Sequence, residues 1–241
     1  DCKQLLYMQD ISALYGVFAN GLWYTPLPLS GSSTWVQLVT AANITTALGW
    51  GTSVGFRHLV SSWENPLTQW LLVDVATGGS PAYKAVSLKT TDGWASFSTA
   101  VFPYIYTPDY GYSFRLAVDR NSSDATLWAV ATYCDYSNAV FKSTNGGSSW
   151  VKSLHAYYYV WQSLCCPDGD ASGNLVAAGM GPRVGQNKIY RTENAGSSWT
   201  YQTATNDSRW IHHRNGTTKM YLVMDTDVLE SDKSTNLFSS W

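Results

Sequence analysis

The stretch that decides the fold is KSTNGGSSW, residues 142–150, a polar turn with two glycines and a closing tryptophan. The chain repeats it with small changes, as RTENAGSSW at 191–199, KSTNLFSSW at 233–241 and KTTDGWASF at 89–97. A more divergent form, PLSGSSTW, ends at Trp35. A segment that recurs at intervals of roughly 40–55 residues is typical of a repeat architecture.

Each turn follows two short runs of β-forming residues. The pairs are ALYGVFA and GLWYT, WLLVDVA and AYKAVSLK, LWAVATY and NAVFKS, LVAAGM and NKIYRT, and YLVMDT and DVLES. A further short strand follows most of the closing aromatics, whereas no segment sustains the apolar spacing and caps of a helix. Three or four strands per repeat match a propeller blade, which must stack on its neighbours to bury both faces. The five turns therefore predict an all-β, five-bladed β-propeller of short antiparallel strands, with residues 1–241 as a single domain.

The turns resemble the Asp-box, or BNR repeat, whose pattern is Ser/Thr-x-Asp-x-Gly-x-Ser/Thr-Trp. The copies that end at Trp150 and Trp199 match closely, with asparagine in the Asp position, and the copy at 89–97 keeps the aspartate. The copy at 233–241 has Leu237 and Phe238 in place of the glycines. Sialidases, sortilin-type receptors, some xyloglucan hydrolases, photosystem assembly factors and several lectins contain this repeat, so the resemblance implies a propeller of that superfamily.

The residues of the turn itself are interpreted as structural. Asp or Asn can bond the backbone two residues on, and glycine supplies a positive φ without a steric cost. The closing aromatic is expected to pack against the neighbouring blade. The resemblance also implies that these turns lie on the face away from the ligand. The predicted structural residues are Asp92, Asn145, Gly147, Trp150, Asn194, Gly196, Trp199, Asn236 and Trp241.

Composition points to an extracellular protein. Charged residues make up 13% of the chain, and there are twelve Trp and sixteen Tyr. The formal net charge of −2 argues against a nucleic-acid partner, and no apolar run is long enough for membrane insertion. Because the chain starts at Asp1 without a signal peptide, we expect a processed N-terminus. We predict a secreted protein.

Cysteines and sequons fit that compartment. The four cysteines lack metal-site spacing, which favours disulfides among Cys2, Cys134, Cys165 and Cys166, although buried thiols are the alternative. A bond between the adjacent Cys165 and Cys166 would be strained, so each is expected to pair with one of the other two. Asn-x-Ser/Thr sequons predict glycosylation at Asn43, Asn121, Asn206 and Asn215.

If the turns mark one face, a ligand site belongs at the opposite end, at the start of each blade's innermost strand. We align those segments as VGFRHLV (54–60), YSFRLAV (112–118), YVWQSLC (159–165) and DSRWIHH (207–213). This alignment makes Arg57, Arg115, Gln162 and Trp210 equivalent. Two arginines could hold a carboxylate or sulfate, and Trp161 and Trp210 could stack on sugar rings. The predicted ligand-binding residues are Arg57, Arg115, Trp161 and Trp210.

Catalysis has little support in the residues. The resemblance to sialidases would require three arginines, a Tyr–Glu pair and an Asp acid/base, but the chain has only Glu64, Glu193 and Glu230. The stretch 166–174 has calcium-ligand chemistry without the spacing of a calcium loop, and adjacent His212 and His213 point to opposite faces of a strand. We therefore predict no cofactor, no metal and no catalytic residues.

The leading hypothesis is a non-catalytic, glycosylated propeller that binds glycans or extracellular proteins through the face opposite the turns. The alternatives are a structural subunit of a self-assembling extracellular complex and a sialidase-like glycoside hydrolase. How the ring closes is open: either a longer chain continues past Trp241, or the segment CKQLLYM at 2–8 pairs across the seam.

Overall fold

The structure is a computed structural model of the 241-residue chain. It describes residues 2–29, 33–79, 82–106, 114–134, 137–155, 160–166, 175–180, 187–204, 208–213, 219–224 and 228–232. Within this part the chain is nearly all β, and every strand pairing is antiparallel.

Five sheets follow one another along the chain, and within each sheet neighbouring strands are consecutive in sequence. The first sheet contains β1 (Cys2–Met8), β2 (Ala13–Phe18), β3 (Gly21–Pro26) and β4 (Val36–Val39). The second contains β5 (Ser53–Ser61), β6 (Gln69–Ala76), β7 (Tyr83–Thr90) and β8 (Ser98–Tyr106). The third contains β9 (Arg115–Val118), β10 (Leu127–Cys134), β11 (Ser137–Ser143) and β12 (Val151–His155). The fourth contains β13 (Val160–Cys165), β14 (Leu175–Met180), β15 (Asn187–Thr192) and β16 (Thr200–Ala204), and the fifth β17 (Ser208–His213), β18 (Lys219–Met224) and β19 (Val228–Asp232).

The N-terminal strand belongs to the first sheet. β1 runs antiparallel to β2, with Leu6 opposite Tyr15 and Met8 opposite Ala13. In the described part of the chain, the segment 2–8 is thus the first strand of the first sheet. The strand order predicted around the repeated turns is confirmed, because each described turn follows the third strand of its sheet and precedes the fourth.

One short α-helix, α1 (Ala41–Leu48), joins the first two sheets. Thr40 caps it: the Thr40 side chain accepts from the Asn43 N–H at 3.1 Å, while the Asn43 side chain accepts from the Thr40 N–H at 2.8 Å. Gly49 ends the helix with φ 72°. The sequence pattern missed this helix because only Ile44 is buried, so its apolar periodicity is weak.

The chain divides into two compact units. The first contains Asp1–Pro108 and Gly147–Trp150, and the second contains Asp109–Gly146 and Val151–Trp241. The core of the first unit joins the first two sheets through side chains such as Met8, Leu59 and Val73. A cluster around Trp128, Val140 and Tyr190 forms part of the core of the second.

The three described turns share a hydrogen bond from the first Ser or Thr of the turn to the Asp or Asn two residues on. In the turn at 90–97 the Thr90 hydroxyl donates to Asp92 Oδ1 at 2.8 Å, and that oxygen accepts from the Ser96 N–H at 2.9 Å. In the turn at 192–199 the Thr192 hydroxyl donates to Asn194 Oδ1 at 3.1 Å, and the Ser198 N–H donates to the same atom at 2.9 Å. The turn at 143–150 repeats the first bond, from Ser143 to Asn145, at 2.9 Å.

Each turn then passes through two left-handed residues. Gly147 and Gly196 have φ 85° and 84°, in agreement with the sequence prediction. At the residue before them φ is 64° at Gly146 and 57° at Ala195. The turn at 90–97 instead has Trp94 with φ 77°, a rare conformation for a bulky residue.

In two places a turn glycine lies against a tryptophan of the preceding sheet. A Cβ on Gly147 would lie 2.9 Å from the ring of Trp70, in β6. The indole N–H of Trp150 donates to the Ser87 hydroxyl at 2.8 Å, and its ring stacks on Phe102 with centroids 4.7 Å apart. The closing tryptophan therefore packs against the preceding sheet.

The second place repeats this arrangement. A Cβ on Gly196 would lie 2.9 Å from the ring of Trp128 in β10. The Trp199 indole donates to Ser153 at 3.3 Å, and its ring meets Trp128 edge-on at 5.9 Å. A lysine covers each strand tryptophan from its own sheet, with Lys89 Nζ 5.5 Å from the Trp70 ring and Lys142 Nζ 5.3 Å from the Trp128 ring.

Candidate functional site

The two arginines that the sequence selected lie on the first strands of the second and third sheets. In the second sheet the turn follows Thr90, which pairs with Gln69 at the start of β6. Arg57 is the central residue of β5, and Asp74, which pairs with Gly55, lies further from the turn. Arg115 starts the short strand β9 and pairs with Val130, the fourth of the eight residues of β10, so it is also level with the middle of its sheet.

Arg57 forms a two-bond ion pair with Asp74. Its Nε donates to Asp74 Oδ1, and its Nη2 donates to Oδ2 at 2.9 Å. The Asp74 side chain is 4% exposed and the Arg57 side chain 21%. A buried carboxylate needs such a partner, because an uncompensated charge in the interior is strongly destabilising.

Gly55 leaves room for this ion pair. A Cβ on Gly55 would collide with the Asp74 carboxylate and lie 3.0 Å from Arg57 Nη2. The strand is therefore without a side chain at the point where the guanidinium crosses to β6. The Arg57–Asp74 pair therefore depends on the absence of a side chain at Gly55 as well as on opposite charge.

Lys3 lies in the electrostatic field of the same pair. Desolvation lowers the pKa of the Lys3 ammonium from its ordinary value, and the positive charge of Arg57 lowers it further, whereas Asp74 acts in the opposite direction. Lys3 and Arg57 are cations and Asp74 is an anion, so the three side chains at this corner of the first unit together carry one positive charge. Such a corner favours an anionic group on a ligand.

Arg115 is held differently. Its Nη1 donates to the carbonyl of the adjacent Phe114 at 2.9 Å, and burial lowers the pKa of its guanidinium. The side chain is half-buried rather than projecting into solvent. Arg57 belongs to the first unit and Arg115 to the second.

The strand register corrects the alignment of three of the four inner segments. The first Ser or Thr of each described turn pairs with a residue on the second strand of its sheet. Three residues further along that strand, the equivalent positions are Leu72, Val130 and Ala178. Their partners on the first strands are His58, Arg115 and Ser163. Arg115 is therefore equivalent to His58 and not to Arg57. The alignment was wrong by one residue because β5 and β13 contain a register shift, at Arg57 and at Gln162, which a sequence pattern does not reveal.

The two predicted aromatic ligands lie on first strands. Trp161 is in β13 opposite Gly179, and Trp210 is in β17 opposite Val223. Their side chains lie outside the described part of the structure. Their role in stacking on sugars remains a prediction.

The predicted disulfides are not found among the cysteine side chains that the structure describes, which are those of Cys2, Cys165 and Cys166. Cys2 is exposed, and its thiol donates to the Gln4 carbonyl at 3.5 Å within its own strand. The side chain of Cys134 is outside the described residues. Cys2 in β1 and Cys165 in β13 belong to separate units. The number of cysteines in a sequence does not indicate which of them are close together in the fold.

Two of the four sequons can be located. Asn43 is exposed in the first turn of α1, and Asn121 is exposed beside Asp119, whose Oδ1 accepts the Asn121 N–H at 3.0 Å. Asn206 and Asn215, like Asn236 and Trp241 of the last turn, lie outside the described residues. Glycosylation therefore stays a prediction, and both located sites are accessible to it.

Two of the three glutamates form surface ion pairs. Glu193 pairs with Arg191 in the turn at 192–199, and Glu230 pairs with Lys219 at 2.8 Å. Glu64 is exposed in the loop after β5. Within the described ranges no cluster of three His, Cys, Asp or Glu side chains could hold a metal ion. The segment with calcium-ligand chemistry, 166–174, lies almost wholly outside those ranges.

Sequence reasoning missed the side chains that join neighbouring first strands. Gln4 of β1 donates to the Leu59 carbonyl at 2.8 Å and accepts from the Leu59 N–H at 2.7 Å. In the second unit the Ser163 hydroxyl accepts from the Ile211 N–H at 3.0 Å. It also missed Asp74, although an aspartate within the apolar run QWLLVDVA is a sign of a buried, paired charge.

No family model matches the chain, and no curated protein matches it. A GH74 enzyme of Niastella koreensis has a TM-score of 0.67 over 97% of this chain at 18% identity. YCF48 bound to D1 peptide has a TM-score of 0.55 over 97% at 16% identity. The Swd1 β-propeller domain of Myceliophteria thermophila has a TM-score of 0.54 over 89% at 8% identity.

These solved structures are β-propeller proteins, and the similarity shows a β-propeller fold for this chain. The chain spans 36% of the length of the GH74 enzyme and 63% of each of the other two. Among the described residues, no helix has the length and apolar content needed to cross a membrane.

Proposed function

We propose that this chain is a secreted, non-catalytic β-propeller with five Asp-box blades in one domain. It binds glycans or extracellular proteins through the end of its sheets opposite the turns. The turns support the Asp-box assignment because their Asp or Asn side chains organise the backbone and their closing tryptophans pack on the preceding sheet. Residues in these roles serve the scaffold, which leaves the opposite end for a ligand.

The observation that carries this proposal is the Lys3, Arg57 and Asp74 cluster. The ion pair fixes the Arg57 guanidinium, and Lys3 adds a second cation, so the cluster has a net positive charge in a chain that is slightly negative. A carboxylate or sulfate on a glycan or protein ligand fits this charge. Trp161 and Trp210 would add stacking surface for sugar rings.

The test compares binding to matched neutral, carboxylated and sulfated glycans and to extracellular protein extracts. Lys3→Gln removes one cation without uncovering the buried Asp74, and we expect it to weaken binding of acidic ligands by about fivefold. Arg115→Gln and Trp210→Ala examine the two other predicted contacts. Lys152→Gln is the control, because Lys152 is an exposed lysine beside a turn.

Higher salt should reduce the affinity for the acidic ligands in parallel with Lys3→Gln, since exposed charges are screened. Equal affinity for neutral and acidic ligands, unchanged by all three substitutions, would remove this site from consideration. Circular dichroism and melting curves establish that each variant is folded.

The runner-up is a glycoside hydrolase, which is favoured only by the shared fold of the GH74 enzyme. Asp74 is paired with Arg57, and Glu193 and Glu230 are paired with cations at the surface. A hydrolase requires two carboxyl groups that face one substrate. Turnover of any substrate in a broad panel of chromogenic glycosides would establish catalysis and refute the binding proposal in its present form.

A further inference from the structure

In the described part of the chain, the first strands of four sheets contain a one-residue bulge. At each bulge two neighbouring residues of the second strand face three residues of the first strand, so the first strand has one extra residue. The extra residues are Lys3 in β1, Arg57 in β5, Gln162 in β13 and Arg209 in β17. Bulges are frequent beside functional sites, where they re-aim a side chain. Both cations of the Lys3, Arg57 and Asp74 cluster thus occupy bulge positions.

In the first unit a side chain next to the bulge fixes the spacing of these two cations. Gln4 follows Lys3 in β1, and Leu59 lies two residues after Arg57 in β5. The Gln4 side chain donates to the Leu59 carbonyl at 2.8 Å and accepts from the Leu59 N–H at 2.7 Å. Because both bonds go to one residue, β1 cannot slide along β5 without breaking them.

The second unit repeats this connection with different residues. Ser163 follows Gln162 in β13, and Ile211 lies two residues after Arg209 in β17. The Ser163 hydroxyl accepts from the Ile211 N–H at 3.0 Å and donates to the Ile211 carbonyl at 3.4 Å. The bulges and the bonds have the same offsets as in the first unit. The bulge residues of β13 and β17 are therefore the counterparts of the two cations of the first unit.

The same register corrects the alignment of the fourth inner segment. The sequence alignment matched Trp210 with Arg57, whereas the bulge of β17 lies at Arg209. Trp210 is the residue after the bulge, which is the position of His58 in β5. Arg209 was therefore missed by one residue.

An aspartate also recurs at the same offset in sequence. In β6 the residue that pairs with the one before the bulge is Val73, and Asp74 follows it. In β18 the corresponding residue is Met224, and Asp225 follows it. Asp225 itself lies outside the described residues. Each arginine at a bulge thus has an acidic residue at the same place in the sequence of the next strand.

We propose that Gln162 and Arg209 form a second ligand site, in the second unit, that takes an uncharged sugar. This inference rests on the binding role proposed above, and it follows from strand register, since the side chains of both residues lie outside the described part. With Gln162 in place of Lys3 and one aspartate in each set, the second set carries no net charge. Amide and guanidinium groups bond sugar hydroxyls, and Trp161 and Trp210, the neighbours of the two residues in sequence, supply aromatic rings.

Nuclear magnetic resonance titrations of the isotope-labelled chain test this site, with maltose, lactose and cellobiose as neutral probes and glucuronate as the acidic probe. We expect at least one neutral disaccharide to shift the backbone amide signals of β13 and β17 in a saturable way, and glucuronate to leave them unchanged. Arg209→Gln should weaken that binding at least tenfold, because the sugar hydroxyls lose a charged hydrogen-bond donor. Gln162→Ala should also weaken it, and this variant uncovers no aspartate, so it tests the site even if Arg209→Gln does not fold.

A charge exchange tests the specificity. Gln162→Lys gives the second pair the charge of the first, and the signals of β13 and β17 should then respond to glucuronate. Val151→Lys is the matched control, because it adds the same charge to the second unit at a position that is 62% exposed. The control should produce no response to glucuronate in these strands.

Unchanged signals of β13 and β17 with all three neutral disaccharides would overturn the inference. A glucuronate response that Val151→Lys creates as strongly as Gln162→Lys would overturn it as well. The acidic site of the first unit is tested separately, by Lys3→Gln and the amide signals of β1 and β5. Failure of that site leaves the response of β13 and β17 intact, so the two failures are distinguishable.

Discussion

At Gly147 the backbone and a neighbouring ring both exclude a side chain. Its φ of 85° is strained for any residue with a Cβ, and a Cβ would lie 2.9 Å from the Trp70 ring. Gly147→Ala should therefore destabilise the protein by about 2 kcal/mol, from left-handed strain and overpacking together. Urea unfolding measures the change.

Gly79→Ala is the control for Gly147→Ala. Gly79 is exposed, its φ is not in the left-handed region, and no atom lies within 4 Å of the position of an added Cβ. The urea midpoint of Gly79→Ala should stay close to that of the unmodified chain. Equal midpoints for the two variants would show that the contact between Gly147 and Trp70 contributes nothing to stability.

Asp92 is the one described turn residue in its position that can titrate. The Ser96 hydroxyl and N–H and the Thr90 hydroxyl donate to its carboxylate and lower its pKa to about 2, from 3.8. Because the folded value is below the unfolded one, its stabilising effect is complete above about pH 4. That effect is lost as the pH falls through about 2.

Asp92→Asn should therefore be less stable than the unmodified chain at pH 7, and the difference should shrink as the pH falls from 4 towards 2. Asn145 and Asn194 occupy the same position in the other turns, so the amide is compatible with the backbone. Urea midpoints across this pH range provide the measurement. A difference that stays constant would mean that the carboxylate charge has no part in the turn.

At the scale of elements, the size of one turn residue (Gly147, Gly196 or Trp94) is matched to the strand of the neighbouring sheet on which the turn packs. Glycine faces Trp70 and Trp128 in the second and third sheets. The first sheet has no tryptophan in β2, and the turn that packs on it carries Trp94 in the glycine position. Trp94 is 5% exposed in the shared core, and its indole donates to Gln69 Oε1 at 2.6 Å. Burial of this ring outweighs the cost of its left-handed backbone.

Trp94→Gly tests that balance. The substitution relieves about 1 kcal/mol of left-handed strain but removes a buried ring worth about 3–5 kcal/mol, so the net loss should be about 3 kcal/mol. Trp63→Gly is the control, since Trp63 is 57% exposed. A variant at position 94 as stable as the unmodified chain would contradict the size matching. Thermal and urea unfolding of both variants give the comparison.

Across the whole molecule, the features predicted correctly from the sequence are those that residues close together in the chain determine. The turns at 90–97, 143–150 and 192–199 have their own hydrogen bonds, and the strands before them alternate or run apolar, so both were found from the sequence. The short helix after Thr40 was missed, although Thr40, Asn43 and Gly49 supply a start and a stop signal.

The candidate site was less predictable because it depends on pairing between strands. Arg57 was selected from its Phe-Arg context, but its partner Asp74 is seventeen residues away on another strand. The one-residue error between Arg57 and Arg115 arose from a register shift, which depends on how two strands meet. Lys3 entered the site only because β1 lies beside β5.

The position of β1 makes the N-terminal segment part of the core of the first unit. Met8 is buried, and Gln4 satisfies both backbone groups of Leu59. Removing residues 1–8 would therefore leave both the N–H and the carbonyl of Leu59 without their partner and open the apolar contact between the first two sheets. An end tied down in this way is not expected to tolerate truncation.

Deletion of residues 1–8 should therefore reduce the amide hydrogen-exchange protection of β5 and β6, because both strands lose their cover in the shared core. Tyr7→Ala is the matched control: Tyr7 lies in the same strand but faces solvent, so protection in β5 and β6 should persist. If the truncated chain kept full protection there, β1 would be dispensable to the core. If Tyr7→Ala lost protection as well, the loss could not be assigned to the buried side chains of β1 such as Met8.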